Sequence, residues 1–261
     1  SGDDSGPGTL REALASGASN IRIASQVGSI DIDSTLVYEG TRPLKIDGIG
    51  QTVFGNNTGD DFTLLEIAEG ANVSIYDLNF DGGGGFSLDN PGDGKGVFVR
   101  VPEDRTGVVR VELKNVRVNG VANHGIHVSD CTLGDDCGAG SGGGGDGSPA
   151  SIVLSADRVS VVDAGNGKFD ADGIRIDERN DGGIVFEASS ARFAGVGADG
   201  VELDEGNNGD VSIDVRNVIF EDNGGYCVDA PLDLAEPCVE DDDGELVLDL
   251  DDGFDIDEAG P

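Results

Sequence analysis

Two acidic stretches contain the side chains that could do chemistry in this chain. The first reads DADGIRIDERN and begins at Asp170, and the second reads GADGVELDEGN and begins at Gly197. Carboxylates stacked on neighbouring strands repel each other, which raises one pKa and provides one acid and one base. An arginine or a histidine beside them could accept the proton. The candidate catalytic residues are therefore Asp172, Arg175, Asp199, Glu202, His124 and His127.

The same acids could instead hold a cation. Clusters of carboxylate oxygens are what Ca²⁺ prefers, and a bound Ca²⁺ would neutralise a uronate and acidify the proton next to it. The predicted metal ligands are Asp177, Asp204 and Asp229. The run LDLDDGFDIDE, from Leu248, is dense in further potential ligands but lacks the EF-hand spacing. A plainer interpretation needs no site, because 52 acids among 261 residues make any outward column acidic.

Short runs of alternating apolar and polar residues must position these side chains, and such alternation predicts β-strands. The runs align on a preceding glycine, at Gly96, Gly125, Gly173, Gly200 and Gly225. Valine, isoleucine and leucine then fall on the inward side. The outward columns are Phe98, His127, Arg175, Glu202 and Cys227; Arg100, Ser129, Asp177, Asp204 and Asp229; and, just before the glycine, Lys95, His124, Asp172, Asp199 and Gly224.

The repeat predicts an all-β fold, a parallel β-helix in which each turn stacks on the one before. A capping box, Thr9 with Glu12, predicts a short helix that covers the first turn. We expect a single domain over residues 1–261. It would have an N-terminal cap at 1–20, a Gly-rich loop insertion at 131–149 and an acidic C-terminal cap or tail at 240–261.

The run TLREAL, followed by IRIASQVGSIDIDSTLVYEGTRPLKIDGIG, resembles the N-terminal coil of pectate lyases and of bacterial surface β-helix proteins. The resemblance covers residues 9–55 and implies a right-handed parallel β-helix of the pectate-lyase-like superfamily, which includes lyases, hydrolases, epimerases and non-catalytic adhesins. DADGIRI is similar to the N-T-D-G-I motif of polygalacturonases, which implies a catalytic Asp172. That family's paired aspartates of the next coil are here Asp199 and Gly200. RVPEDR, at 100–105, resembles the R-x-P-x-x-R motif of pectate lyases, in which an arginine is the base.

Charge and cysteine content restrict the partners. A net charge of −36 argues against nucleic acid and anionic membranes, because their phosphates would be repelled. No apolar run reaches the ~20 residues of a membrane span.

Two close cysteine pairs predict disulfides between Cys131 and Cys137 and between Cys227 and Cys238, with free thiols or a metal site as the alternative. Disulfides indicate a secreted or extracellular surface protein, and the acidity suits high salt or divalent cations.

Two classes of function fit these features. The first is a polysaccharide lyase or glycoside hydrolase, or a protein that binds polysaccharide, with its chemistry on the acidic face. The second is a non-catalytic secreted or surface β-helix, structural or adhesive, that is stabilised by Ca²⁺ or adapted to salt. Exposed aromatic platforms for sugars would favour the enzyme, and the chain has three Tyr, ten Phe and no Trp.

Overall fold

The computed structural model describes residues 1–56, 62–85, 92–131, 147–168, 170–225 and 253–258. Over these residues the protein is all-β, with parallel strands in two sheets and one short helix. None of the described helical residues forms a segment long and apolar enough to cross a bilayer.

The helix α1 spans Leu10–Ala15 and begins as the capping box predicts. The Thr9 side chain accepts a hydrogen bond from the Glu12 backbone N–H, and Glu12 accepts one from the Gly8 N–H. Leu10 and Leu14 are buried, and the helix packs against the first strand of the smaller sheet. The predicted N-terminal helix is therefore confirmed.

Within the described ranges the larger sheet has twelve strands, and the smaller has seven. The larger sheet contains β1 (Asn20–Arg22), β2 (Ser29–Ile32), β4 (Leu44–Gly55), β6 (Val73–Asp81), β8 (Gly107–Lys114), β9 (Arg117–Asn119), β11 (Ala150–Asp157), β12 (Ser160–Val162), β14 (Ile184–Ser189), β15 (Arg192–Ala194), β17 (Val211–Arg216) and β18 (Ile219–Glu221). The smaller sheet contains, in spatial order, β3 (Leu36–Tyr38), β5 (Leu65–Ile67), β7 (Val97–Arg100), β10 (Ile126–Ser129), β13 (Ile174–Glu178), β16 (Val201–Glu205) and β19 (Phe254–Glu258).

The strands recur in one order along the chain. From β8 onward, two strands of the larger sheet are followed by one strand of the smaller sheet, whereas in the earlier repeats β4 and β6 are each one longer strand. Strands of successive repeats pair in parallel. Inward side chains from both sheets form one apolar core, whose largest buried members include Tyr38, Phe80, Phe186 and Phe193. This arrangement is compatible with a β-helix-like solenoid.

From β8 onward, a bend separates the two strands that each repeat contributes to the larger sheet. Asn115, Arg158, Ser190 and Asn217 occupy the bends with φ of 53–55°. The left-handed backbone at a single residue breaks each strand there, because it turns the chain without the need for glycine.

A column of glycines fixes the register of the smaller sheet. A Cβ on Gly125 or Gly173 would lie 2.6 or 2.4 Å from the carbonyl oxygen of the following glycine, so a side chain has no room. The predicted alignment of the runs after Gly96, Gly125, Gly173 and Gly200 is confirmed by the strand pairing. The alignment predicted Gly225 at the next position of this column, but Gly253 occupies that position.

Candidate functional site

The outward side chains of the smaller sheet lie next to one another in the column that the sequence alignment predicted. His127 pairs with Phe98 on one side and with Arg175 on the other, and Arg175 pairs with Glu202. We call the polar residues around this column the buried acidic cluster: His124, His127, Asp172, Arg175, Asp177, Arg179, Asp199, Glu202 and Asp204.

Burial is the main difference from the sequence expectation of an outward, solvated face. All six predicted catalytic residues are buried, and the most exposed of them, His124, exposes 9% of its surface. Asp172 exposes none. Alternation along a strand predicts which side chains share a face, but it does not predict whether that face meets water.

Arg175 is the centre of the cluster. Its Nε donates to Asp177 Oδ1 at 2.7 Å, its Nη1 contacts Glu202 Oε2 and lies 3.5 Å from Asp172 Oδ2, and its Nη2 lies 3.2 Å from Asp204 Oδ2. Burial opposes the charge, but these carboxylates raise the pKa of Arg175 well above its ordinary value. Arg175 is thus a fixed cation that holds four acids together, and its predicted role as a proton acceptor has no support in this geometry.

Arg179 is a second cation of the cluster, which the sequence analysis missed. It directly follows β13, and its Nη2 contacts Asp204 Oδ2. Burial raises the pKa of Asp204 to about 6, although the charge of Arg179 opposes this shift. Basic residues number only 16 in the chain, so a second arginine inside the stretch IRIDER was the available signal.

The two histidines lie side by side, with ring centroids 4.6 Å apart. His127 Nε2 lies 2.6 Å from Asp177 Oδ2. His124 Nδ1 accepts from the Asp172 backbone N–H at 2.9 Å, which requires that nitrogen to be unprotonated.

Burial, with the nearby charge of Lys95, lowers the pKa of His127 to about 3. Burial alone would raise the pKa of Asp177. The charge of Arg175 and the hydrogen bond from His127 outweigh burial and hold this pKa well below its ordinary value. The pair is therefore a neutral imidazole that donates to a carboxylate.

Asp172 and Glu202 form a carboxyl pair. A side-chain hydrogen bond joins them, and Asp172 also accepts from the Asp199 backbone N–H at 3.0 Å. Burial, and then the charge of Asp172, raise the pKa of Glu202 to about 11. Burial also raises the pKa of Asp172. Glu202 is therefore the member of this pair that keeps its proton at neutral pH.

A second row of acids points inward from the same sheet and was missed by the sequence analysis. Asp130, Glu178 and Glu205 are fully buried. Glu178 Oε1 accepts from the backbone N–H groups two and four residues later, and Glu205 does the same. Burial, and then the charge of Asp130, raise the pKa of Glu178 to about 9. The repeated Glu-x-Asn-x-Gly pattern at 178–182 and 205–209 was its signal.

The described part of the chain buries more acids than bases. The fully or almost fully buried acids are Asp130, Asp172, Asp177, Glu178, Asp199, Glu202, Asp204 and Glu205, and the bases are Lys95, Arg175 and Arg179. Eight acids minus three bases leaves five carboxyl groups without a buried cation, with the histidines taken as neutral. Isolated buried charges are costly, so protons or bound cations must neutralise this excess.

Among the residues that the structure describes, two clusters of acidic residues could hold a metal ion. One comprises Asp170, Asp172 and Glu202, and the other Glu202, Asp255 and Asp257, with ligand oxygens within 4.8 Å of one another. The ion's identity does not follow from these distances, but an all-carboxylate donor set fits a hard cation such as Ca²⁺.

The three predicted metal ligands have different surroundings. Both oxygens of Asp177 are occupied, by His127 and Arg175. Asp204 uses one oxygen for the arginines, and its Oδ1 has no hydrogen bond within the described chain. Asp229 lies outside the described residues, and the register places Asp257 beside Asp204.

The disulfides remain predictions. Cys131 is described and is not a free thiol. Cys137, Cys227 and Cys238 lie outside the described residues, as does most of the loop insertion predicted at 131–149.

No protein-family model matches the chain, and neither a curated protein nor a solved structure matches it. The parallel sheets and the buried acidic cluster therefore define the class of this protein only as all-β with parallel strands. The resemblance to the pectate-lyase-like superfamily stays a prediction from the N-terminal residues.

Proposed function

We propose that the fold is a right-handed parallel β-helix. The recurring strand order, the column of glycines in the smaller sheet and the packing of α1 against β3, the first strand of that sheet, support this proposal. An experimental electron-density map would test it. Right-handed progression from β14 through β15 to β16 is the expected result, and a left-handed or non-solenoid path would refute it.

We propose that the protein is a non-catalytic scaffold, secreted or carried on an extracellular surface, that bound cations stabilise. The observation that carries this proposal is the excess of five buried carboxyl groups over buried bases. An enzyme that processes a polymer needs open reactive groups, whereas the six predicted catalytic residues are buried. Cations bind the folded array of acids better than the open chain and so stabilise it by mass action.

The proposed ion is Ca²⁺, held by Glu202, Asp255 and Asp257 at the end of the sheet. Glu202 also contacts Arg175, so the ion would share this carboxylate with a guanidinium. Asp255 and Asp257 are half-buried on β19 and have no ion pair within the described chain. They are the ligands that a cation could reach most directly.

Calorimetry of the chelator-treated protein tests the scaffold proposal. Millimolar CaCl₂ should raise the melting temperature more than NaCl at equal ionic strength, because screening alone acts equally in both salts. The double variant Asp255→Asn, Asp257→Asn should lose the extra shift, whereas Asp214→Asn, Glu221→Asn, two exposed acids of the larger sheet, should keep it. Equal shifts from the two salts in the unmodified chain would contradict a bound ion.

A polysaccharide lyase or hydrolase is the second candidate, and the contact between Asp172 and Glu202 favours it. Both carboxyl groups also touch Arg175, an arrangement that could supply an acid and a base to a glycosidic bond. A screen of uronate and neutral polysaccharides, with and without Ca²⁺, tests this candidate. Activity that Glu202→Gln abolishes without loss of fold would support the enzyme and overturn the scaffold.

A further inference from the structure

Two strands of the smaller sheet end in a buried glutamate that is held in the same way. Glu178 ends β13 and Glu205 ends β16, and the two residues are in register on adjacent strands. The Oε1 atom of each accepts hydrogen bonds from the backbone N–H groups two and four residues later. The later of these groups belongs to Gly182 or Gly209, where an added Cβ would lie 2.7 or 2.8 Å from that Oε1 atom. Each turn therefore closes tightly around one oxygen of its glutamate.

The second oxygen of each glutamate has no partner. Glu178 and Glu205 expose none of their surface, and neither Oε2 atom forms a hydrogen bond within the described chain. Neither side chain forms an ion pair with a base in the part of the chain that the structure describes. Burial of a carboxylate oxygen without a partner is costly, because the oxygen loses its hydration. A ligand that binds both Oε2 atoms would recover this free energy.

The two free oxygens lie at the spacing of the strands. The same hydrogen bonds orient both carboxylates alike, and equivalent atoms of neighbouring strands are ~4.8 Å apart. Asp130 directly follows β10, on the other side of β13. After burial, the charges of Asp130 and Glu205 raise the pKa of Glu178 to about 9, so an acid lies near Glu178 on each side. We call Asp130, Glu178 and Glu205 the inward row.

This spacing selects the size of a cation. An ion midway between two oxygens ~4.8 Å apart would lie ~2.4 Å from each of them. That distance is within the Ca²⁺–oxygen range of about 2.3–2.6 Å. Mg²⁺ binds oxygen at about 2.0–2.1 Å, so it could not reach both oxygens unless the strands moved together. A divalent ion also balances the charge of two carboxylates, which no described base does here.

We propose that Glu178 and Glu205 hold a Ca²⁺ ion inside the fold, between two adjacent repeats. Asp130 adds a nearby negative charge that strengthens binding of the ion. The ion ties β13 to β16 and neutralises part of the excess of buried carboxyl groups. When the ion is absent, a proton on Glu178 relieves the same repulsion.

The proposed inward site is separate from the end site, which we define as Glu202, Asp255 and Asp257. The end site brings three outward acids together, whereas the inward site uses two in-register glutamates on the opposite face of the strands. The inward site rests on the proposed function only in that both sites use cations to neutralise buried acids. Variants of the two sites can therefore be tested one by one.

Burial predicts that the inward ion enters during folding and leaves slowly. Every acid of the inward row is closed to solvent, so an ion has to pass through an opened repeat. Asp255 and Asp257, in contrast, are half-buried on the last described strand. A chelator should therefore remove calcium from the end site quickly and from the inward row slowly.

Refolding in the presence of a known ion tests the proposal. Each protein is unfolded in urea with a chelator, refolded in millimolar CaCl₂, washed briefly with chelator and desalted, and its calcium is counted by atomic absorption. The end-site variant Asp255→Asn, Asp257→Asn should retain about one calcium ion per chain. Addition of Glu178→Gln, Glu205→Gln should lower the retained calcium at least about tenfold. Refolding of the end-site variant in MgCl₂ should leave at least about tenfold less bound metal.

A matched control separates the inward row from acidity in general. Glu187→Gln, Asp214→Asn, made in the end-site variant, neutralises two exposed acids that are also in register on adjacent strands. It should retain as much calcium as the end-site variant. Equal urea stability in chelator would show that the glutamine substitutions leave the fold intact. Glu205→Gln alone is the second variant, and it should also lose the ion.

Four results would overturn the proposal: no retained calcium in the end-site variant, undiminished calcium after substitution of the inward row, an equal loss in the matched control, or equal retention of magnesium. Failure of the proposed end site gives a different result. The end-site variant would then keep both its retained calcium and the full thermal shift from CaCl₂, and the inward site would stand without the end site.

Discussion

The buried acidic cluster of the smaller sheet and the exposed cations of the larger sheet differ in how their charges are placed relative to water. The smaller sheet buries acids in excess of bases, with Arg175 in contact with four of them. The larger sheet leaves cations exposed at Arg110, Lys114 and Arg117, and none of these has an ion pair within the described part of the chain. Because the repeats stack, residues at one position of the repeat form a column of neighbouring side chains. Whether that column is buried or exposed determines how strongly its charges depend on partners.

The energetic consequences differ between the two sheets in the same way. An exposed ion pair such as Arg216 with Asp214 gains little, because water screens it. A buried charge that loses its partner is strongly destabilising. Variants that remove one arginine from each sheet therefore measure the difference directly.

Arg175→Met should have the largest effect. It leaves Asp172, Asp177, Glu202 and Asp204 without their shared cation, and we expect a loss of about 4 kcal/mol in the free energy of unfolding. Urea titration monitored by circular dichroism measures it, since guanidinium would add salt. The matched variant Arg216→Met should lose less than about 1 kcal/mol. Similar losses in the two variants would mean that the cluster is solvated.

The column of glycines was predictable from sequence, because an alternating run after each glycine recurs in register. The same reasoning placed Ile126, Ile174 and Val201 in the core, and pairing confirms it. Two features were not predictable from this pattern. The first is the pairing of Asp204 with Asp257, because the segment between β18 and β19 is too long for the repeat spacing to indicate the register. The second is the burial of the polar face, because burial depends on packing that alternation does not encode.

The sequence predicted which residues meet at the candidate site better than it predicted the chemistry of those residues. Columns placed Asp172, Arg175 and Glu202 together, since neighbours in a column are one strand apart. Arg179 was missed because it lies beyond the end of its strand, where no column is defined. Glu178 and Glu205 were missed because acids are not expected at inward positions, which apolar residues usually occupy.

Gly173→Ala should have the next largest effect, because it perturbs the column that aligns the smaller sheet. Its Cβ would lie 2.4 Å from the Gly200 carbonyl oxygen and 3.0 Å from the Phe193 ring. We expect a loss of about 2 to 3 kcal/mol in unfolding free energy, measured by urea titration. Gly28→Ala is the control, because nothing lies within 4 Å of its added Cβ. A loss no larger than that of the control would indicate that neighbouring repeats separate easily.

The smallest effect concerns pH and the inward acids. Glu178 has a pKa of about 9 in the folded chain against an ordinary value of 4.5. Between these values the unfolded chain releases the proton while the folded chain keeps it, so stability falls as the pH rises. With a chelator present, we expect Glu178→Gln to remove about 2 kcal/mol of the loss in unfolding free energy between pH 5 and pH 8.

The variant isolates Glu178 from groups that titrate in the other direction. His127, whose folded-state pKa is lowered to about 3, destabilises the fold as the pH falls below its ordinary value of 6.5, so the whole-protein profile combines opposing slopes. Subtracting the two profiles leaves the Glu178 contribution. Glu187→Gln, at an exposed position of β14, should give a profile parallel to that of the unmodified chain. If Glu178→Gln also gave a parallel profile, Glu178 would be ionised in the folded state, and the inward row would require a bound cation.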